Sequence, residues 1–305
     1  MAVFRSIWED IKHSFRAGNM VTRLVILNFA VFVLVKILFV LLWMTGRAGD
    51  WYEQVLLFFC MPGDWKLLWH FWAPVTSIFL HESFWHFLGN TITLYLFGII
   101  VGDLIGDRRV LPIYLLGGLV GNVLYFFSAQ FMPYVGSYAL GASGAIMALA
   151  GAALILAPDY RVMLFLLGEV KVKYIVLVLV LLDFVGIANQ SNTGGHAAHL
   201  GGFAAGCWFV FLLRDDRDLS EPINRFLDRL MSLFAPARPR PKKTKRKTQP
   251  AFRATFGGAK GSNVSDTNDL SFQERLDAIL DKIKERGYEN LEQEEKDFLY
   301  EASKK

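Results

Sequence analysis

The chain has 305 residues, 53% of them apolar or aromatic, with a formal net charge of +4 and a mean hydropathy of +0.34. A water-soluble domain keeps its apolar fraction near ~45–50% and interrupts its apolar runs; here the runs are long and unbroken, which argues against one large soluble core. The pI near 9.0 would suit a nucleic-acid binder, but the basic residues stand beside apolar runs, where the inward bias of Lys and Arg at membrane spans accounts for them.

Crossing a hydrocarbon core of about 30 Å takes roughly 20 helical residues at about 1.5 Å each. Residues 1–23 form a polar and amphipathic N-terminal arm. The first apolar run, Leu24–Met44, is too long for the h-region of a signal peptide and lacks an A-x-A cleavage site. Residues 46–75 follow, rich in aromatics, with Trp65, Trp69 and Trp72 at helical spacing. That spacing predicts either a helix lying in the membrane interface, where Trp prefers to sit, or an amphipathic loop packed on the bundle. Five more runs complete the series: Phe84–Val101, Val110–Phe131, Leu140–Ala157, the short Tyr174–Ala188, and Ala197–Leu213. The expected fold is all-α, a bundle of six transmembrane helices over 24–213.

Orientation follows from the loops. Arg5, Lys12, Arg16 and Arg23 precede the first run, Arg108 and Arg109 follow the second, and Arg161, Lys171 and Lys173 follow the fourth. The segments 132–139 and 189–196 carry no Lys or Arg, so both termini are expected to be cytoplasmic. Cys60 and Cys207 stand far apart and read as small core residues, not as a disulfide or metal pair. Residues 214–269 read as a basic, Pro- and Gly-rich flexible linker whose cluster Lys242, Lys243, Lys245, Arg246 and Lys247 suits either solvent or anionic lipid. Over 270–305, Ser271 and Glu274 form a capping box ahead of the stripe Leu276, Ile279, Leu280 and Ile283, stopped at Gly287. A second helix from about Glu292 to Ser303 makes this tail a helical hairpin.

Polar residues inside lipid are costly and tend to serve function. Gly-Ala-Ser143-Gly-Ala opens the fourth run with a serine between small neighbours, which by itself reads as a helix-packing motif. The sixth run opens Ala-His199-Leu-Gly-Gly202, with Gly206 one turn further, so His199 lies near the glycine face that packs on another helix. A serine hydroxyl becomes nucleophilic beside a base such as neutral imidazole. His86 and Asn90, four residues apart, share one face of the second span and can aim two donors at a developing oxyanion. With the N-terminus inside, spans two, four and six enter from the outer side, and all four residues fall within roughly 10 Å of that end.

The spacing His81-x4-His86-x3-Asn90, then Gly141-x-Ser143-Gly144, then Ala-His199-x2-Gly202-x3-Gly206 resembles the rhomboid family in order and distances. The resemblance covers roughly residues 20–213 and matches the bacterial six-span type. It implies a serine-type endopeptidase working by a Ser143–His199 dyad without an acid. His86 and Asn90, helped by the backbone N–H of Ser143, would form the oxyanion hole. The substrates would be single-span transmembrane proteins cut near their outer end. The site would need no metal and no organic cofactor, its partners would include the lipid bilayer but no nucleic acid, and a bacterial inner membrane is the expected location. The sequence departs from the family at Ala73, where Arg often follows Trp72, at Met147, where Tyr often stacks on the histidine, and at Gly102, where an acidic residue is common.

His81 is expected at the mouth of the site, and His196, three residues before His199, either in an exposed loop or as a supporting partner of the site. Asp183, taken as mid-depth in the fifth run, is expected to make an interhelical hydrogen bond and to stay outside the reacting pair. Asn28 and Asn122 read as interhelical donors, and Lys36 as lining a bundle cavity or meeting a neighbour's polar group. Two rival functions fit less well. A pseudoprotease that binds membrane proteins without cutting them would lack Ser143 or His199, and a small transporter would spread its polar residues through the whole membrane depth.

Overall fold

The computed structural model describes residues 2–46, 49–132, 134–165, 167–234, 272–286, 288 and 291–302. Its centre is a helix with no polar face. Ser143–Leu156 runs Gly-Ala-Ile-Met-Ala-Leu-Ala-Gly-Ala-Ala after the serine, and every residue of that stretch is buried. A helix apolar all round has to be enclosed by others, and small side chains let the enclosing backbones come close.

In chain order the first unit contains α1 (Ala2–Ala17), α2 (Met20–Met44), α3 (Asp50–Phe59), α4 (Ala73–Thr76), α5 (Phe84–Ile105), α6 (Val110–Phe131), α7 (Ser143–Leu156), α8 (Val172–Ala188), α9 (Thr193–Arg214) and α10 (Ser220–Phe234). Two short antiparallel pairs accompany them, β1 (Met61–Pro62) with β2 (Tyr138–Ala139) and β3 (Arg161–Leu164) with β4 (Gly168–Lys171). The six apolar runs map onto α2, α5, α6, α7, α8 and α9. Among the described residues, four of these helices are long and apolar enough to cross a membrane by themselves: α2, α5, α6 and α9. The other two, α7 and α8, have 14 and 17 residues.

The core is built by α6, α7 and α9, with α5 and α2 outside them. Its outer surface is apolar: Leu34 on α2 is 68% exposed, and Leu177, Val178, Leu181, Leu182, Phe184 and Val185 on α8 all face outward. Contiguous apolar surface of this extent belongs against lipid, and the chain is an integral, multi-pass membrane protein of the all-α class. Asn28 behaves as the sequence suggests, joining α2 to α6 through Tyr114 Oη at 3.3 Å.

Three expectations change. The region of residues 46–75 is not one interfacial helix: Pro62, Gly63 and Pro74 break it, and Trp65 sits in a 3₁₀ turn over Trp65–Leu67 while Trp72 caps α4. Trp72 nevertheless anchors this segment by donating from Nε1 to the carbonyl of Phe58 at 2.8 Å, beside a buried Ala73. Lys36 meets a neighbour's polar group, as one of its two readings expected, donating to the carbonyl of Glu82 at 2.7 Å. The linker starts later than residue 214, because α10 occupies Ser220–Phe234 and is bound to the α5–α6 connection. There Arg109 pairs with Asp218 at 2.7 Å, Arg108 with Asp228 at 3.1 Å, and Asn224 Nδ2 donates to the carbonyl of Arg108. Finally, α9 begins at Thr193, four residues before Ala197, so His196 lies in its first turn and not in a loop.

The second unit holds α11 (Phe272–Arg286) and α12 (Gln293–Ala302), linked by Lys282 Nζ to Glu295 Oε1 at 2.6 Å over the buried Ile279 and Leu291. The capping residue Ser271, the Glu274 side chain and Gly287 lie outside the described residues, as does the Lys/Arg cluster of 242–247.

Candidate active site

Ser143 is the first residue of α7. Its placement depends on Gly141, whose φ of +131° suits only glycine and whose N–H donates to the carbonyl of Ser77 at 2.9 Å. Glycine is also required by space: a Cβ there would stand 2.9 Å from both Cε1 and Nε2 of His86 and 3.5 Å from Ser143 Oγ. The Gly-x-Ser turn thus holds the serine and the His86 ring side by side. The first bond of α7 runs from the N–H of Ile146 to the carbonyl of Ala142. The N–H groups of 143–145 have no acceptor within the helix, and the positive end of its dipole faces the site.

His199 comes from α9, and glycines set its distance from α7. A Cβ on Gly202 would collide with the carbonyl of Gly144, and one on Gly206 with the carbonyl of Ala148. On α6, a Cβ at Gly121 would lie 2.8 Å from the carbonyl of Ala198. Three helices therefore meet backbone to backbone one turn from Ser143 and His199, with Gly144 inside the seam.

His86 and Asn90 come from α5, whose start is fixed by Ser83 Oγ accepting from the N–H of His86 at 3.2 Å. Asn90 is buried and its Nδ2 has no hydrogen-bond partner. Leaving such a donor unpaired costs about 1–3 kcal/mol, and an acceptor bound in the cavity would relieve that cost. Ser143, His199, His86 and Asn90 line one cavity of about 390 Å³, together with Glu82, Tyr125, Tyr138, Asn192 and the glycines at 194 and 195. All four predicted residues come together.

Two predicted neighbours adjoin the site without lining the cavity. His81 is fully buried, with its ring packed edge-on to His86 and Phe87, so it stands behind His86 and not at the mouth of the cavity. Met147, one turn along α7, belongs to the buried core. Asn122 joins no second spanning helix: it donates to the carbonyl of Pro74 at 2.7 Å and to Ser77 Oγ at 2.9 Å, bracing the segment that receives Gly141.

Asp183 makes the interhelical hydrogen bond expected of it, but at a depth the sequence reading did not assign to it. Asp183 Oδ1 lies 2.7 Å from Nδ1 of His199 and 2.7 Å from Nδ1 of His196. Asp183 stands five residues before the end of α8 and His199 six after the start of α9, so the four-residue turn between these helices brings them to one depth. Gly186 makes room for the His196 ring, which a Cβ would strike. The fifth run already ends at Ala188; measuring Asp183 from that outer end, and starting α9 at Thr193, reveals the match that the mid-depth reading hides. Asp183, His196 and His199 are also the trio among the described residues whose donor atoms lie within 4.8 Å of one another, a spacing a metal ion accepts. In this structure both imidazoles bind the carboxylate directly.

A family profile described as the rhomboid domain matches residues 68–216, and a second, a family of unknown function (DUF6576), matches residues 270–305. YdcA of Bacillus subtilis (strain 168), a rhomboid protease candidate, is 30% identical over 173 residues, 51% of this chain and 81% of that protein. The zebrafish (Danio rerio) presenilin-associated rhomboid-like protein A, mitochondrial, is 31% identical over 175 residues, 55% of this chain and 44% of the relative. Rhomboid protein 1, mitochondrial, of Saccharomyces cerevisiae is 28% identical over 144 residues, 45% of this chain and 41% of the relative. The chain thus spans less than half the length of these mitochondrial relatives. Since mitochondrial proteins stand beside a bacterial one, the comparisons lend no weight to a bacterial inner membrane.

Proposed function

This chain belongs to the rhomboid family of integral membrane proteins, and from that premise we propose that it is an intramembrane serine endopeptidase acting on single-span transmembrane proteins. The observation that carries the reading is the convergence of Ser143, His199, His86 and Asn90 on one cavity. Ser143 Oγ attacks the scissile carbonyl carbon while His199 Nε2 takes the hydroxyl proton. The oxyanion is received by Asn90 Nδ2, by the His86 ring and by the free N–H groups at the start of α7. Collapse breaks the C–N bond, and His199 passes the proton to the departing amine. Water then hydrolyses the acyl-enzyme by the same steps.

The bias of Lys and Arg supports both termini facing inward, which turns the cavity toward the outer side of the membrane. Cleavage near the outer end of a substrate helix follows from that depth. The pseudoprotease alternative finds no favouring observation, since both Ser143 and His199 line the cavity.

The test uses the full chain in detergent. A serine-directed fluorophosphonate should label wild type and not Ser143→Ala, and only wild type should cut a reporter transmembrane substrate. Alanine fits the small-residue packing of α7, so the variant should insert normally. Turnover by Ser143→Ala at the wild-type rate would overturn the reading.

A further inference from the structure

The Asp183 side chain is 5% exposed, and its single oxygen Oδ1 faces two imidazole nitrogens at 2.7 Å. We propose that Asp183 is a positioning residue for His199, extending the Ser143–His199 pair to a third member, and that His196 fixes Asp183 in that role. The inference rests on the protease reading above.

Hydrogen-bond chemistry carries the first part. A carboxylate oxygen only accepts, so each Nδ1 facing it bears the proton. His199 is then held as the tautomer whose Nε2 has the free lone pair, the form needed to take the serine proton. Without an anchor the ring would sample both tautomers and turn about its side-chain bonds, and one arrangement alone is productive. When His199 accepts the proton it becomes a cation within the bundle, and the adjacent carboxylate stabilises that charge where water is scarce.

The arrangement around Asp183 carries the second part. A buried carboxylate is costly unless hydrogen bonds satisfy it. Asp183 Oδ2 has no partner, so its support rests on the two imidazole donors at Oδ1. Removing His196 would leave a single donor. Gly186, three residues beyond Asp183 on α8, is shaped to this purpose, since any Cβ there would strike the His196 ring. Of the other titratable groups, His86 and Glu82 line the same cavity as His199.

The experiment compares wild type, Asp183→Ala, Asp183→Asn, His196→Ala and Gly186→Ala as full chains in detergent. It follows substrate cleavage, fluorophosphonate labelling and the tautomers of 15N-labelled histidine by NMR. Asp183→Ala and Asp183→Asn should lower kcat by roughly ten- to a hundredfold with KM little changed, the range for a residue supporting a reacting group. In wild type both His196 and His199 should carry the proton on Nδ1, and in Asp183→Ala His199 should lose that preference. His196→Ala and Gly186→Ala should each give a smaller loss in kcat with a broadened His199 signal. Wild-type kcat and an unchanged His199 tautomer in Asp183→Ala would refute the inference while leaving the protease reading standing. A wild type that neither labels nor cuts would refute that reading itself. Should Asp183→Ala fail to fold, an unchanged kcat and unchanged His199 signal in Gly186→Ala refute the inference. Loss of wild-type activity on chelation, restored by zinc, would also overturn it in favour of a metal held by the same three residues.

Discussion

Gly141→Ala separates the position of the oxyanion side chain from that of the nucleophile. Two effects act on the new methyl. Its backbone would be held at φ +131°, in a region L-residues avoid at a cost of about 1–3 kcal/mol. Its Cβ would press on Cε1 and Nε2 of His86 at 2.9 Å, while Ser143 Oγ at 3.5 Å is at ordinary contact distance. The ring moves and the hydroxyl stays. A chain of this size loses about 2–4 °C per kcal/mol, so thermal unfolding in detergent should fall by roughly 2–12 °C with the fold retained. Displacing one oxyanion donor costs about 10²–10³ in kcat in soluble proteases. Here Asn90 and the N–H groups of α7 share the load, so a loss of at least about tenfold is expected, with KM little changed. A double-mutant cycle with His86→Ala is the decisive assay. If the loss travels through His86, adding Gly141→Ala to His86→Ala should change kcat by less than about threefold. A full tenfold further loss in that background would show that the glycine acts on Ser143 or on the fold, and the geometric argument would fail.

Asn90→Ala and His86→Ala should each lower kcat by at least about tenfold, the low end for a lost oxyanion donor, as read by steady-state cleavage. Asn122→Ala should also lower kcat, because it removes the brace on Pro74 and Ser77 that steadies Gly141; Thr93→Ala, whose hydroxyl only bonds back to the carbonyl of Gly89, is the silent control. Ending the chain after Phe234 should leave labelling of Ser143 intact, whereas ending it after Arg217 removes Asp218 and should lower thermal stability. The Asp218 carboxyl is pushed up by burial, but hydrogen bonds from Ser220 and Arg109 outweigh this and hold it below its ordinary value. Asp159 gives a pH test: hydrogen bonds from Lys173 and then Lys171 hold its carboxyl down at about 2. A depressed folded-state value means that its contribution is complete above the ordinary carboxylate range and is lost as pH falls through about 2. The stability difference between wild type and Asp159→Asn should therefore stay constant from pH 7 down to about 5 and vanish only in strong acid.

The sequence disclosed the apolar runs, the three motifs and the four side chains on the cavity, because membrane depth turns each helix into a ruler. It concealed what depends on where helices begin. Gly194 and Gly195 look like loop residues, yet they continue α9 outward past His196, since glycine lets Tyr125 and the Asn192 side chain pack closely. That shift alone moved His196 from loop to site. Asp183 was misjudged for another reason, its mid-depth placement in its run: counted from the end of α8 it is as shallow as His199, and the tight turn, with Gln190 and Asn192 at positive φ, brings the two together. Helix α10 was hidden by its charges, because Arg, Asp and Glu on one face masked the stripe of Ile223, Phe226, Leu227 and Leu230 on the other. The Trp spacing misled in the opposite direction, since only a 3₁₀ turn at Trp65–Leu67 forms within it and α4 begins just after Trp72.

The glycine seam between α7 and α9 also bears on how the protein fails. Helices joined by side chains can slip by changing rotamers, whereas backbones in direct contact have nothing to repack. Ser143 and His199 therefore ride on one stiff frame, while His86 and Asn90 belong to α5, which has no such lock. Heating or harsher detergent should first loosen α5, slowing catalysis in a protein whose serine still reacts with a fluorophosphonate. Reactivity of the serine should then disappear together with the helical signal, in one cooperative step. The same asymmetry directs engineering: residues of α5 facing lipid are open to change, while the meeting surfaces of α6, α7 and α9 admit no added methyl group.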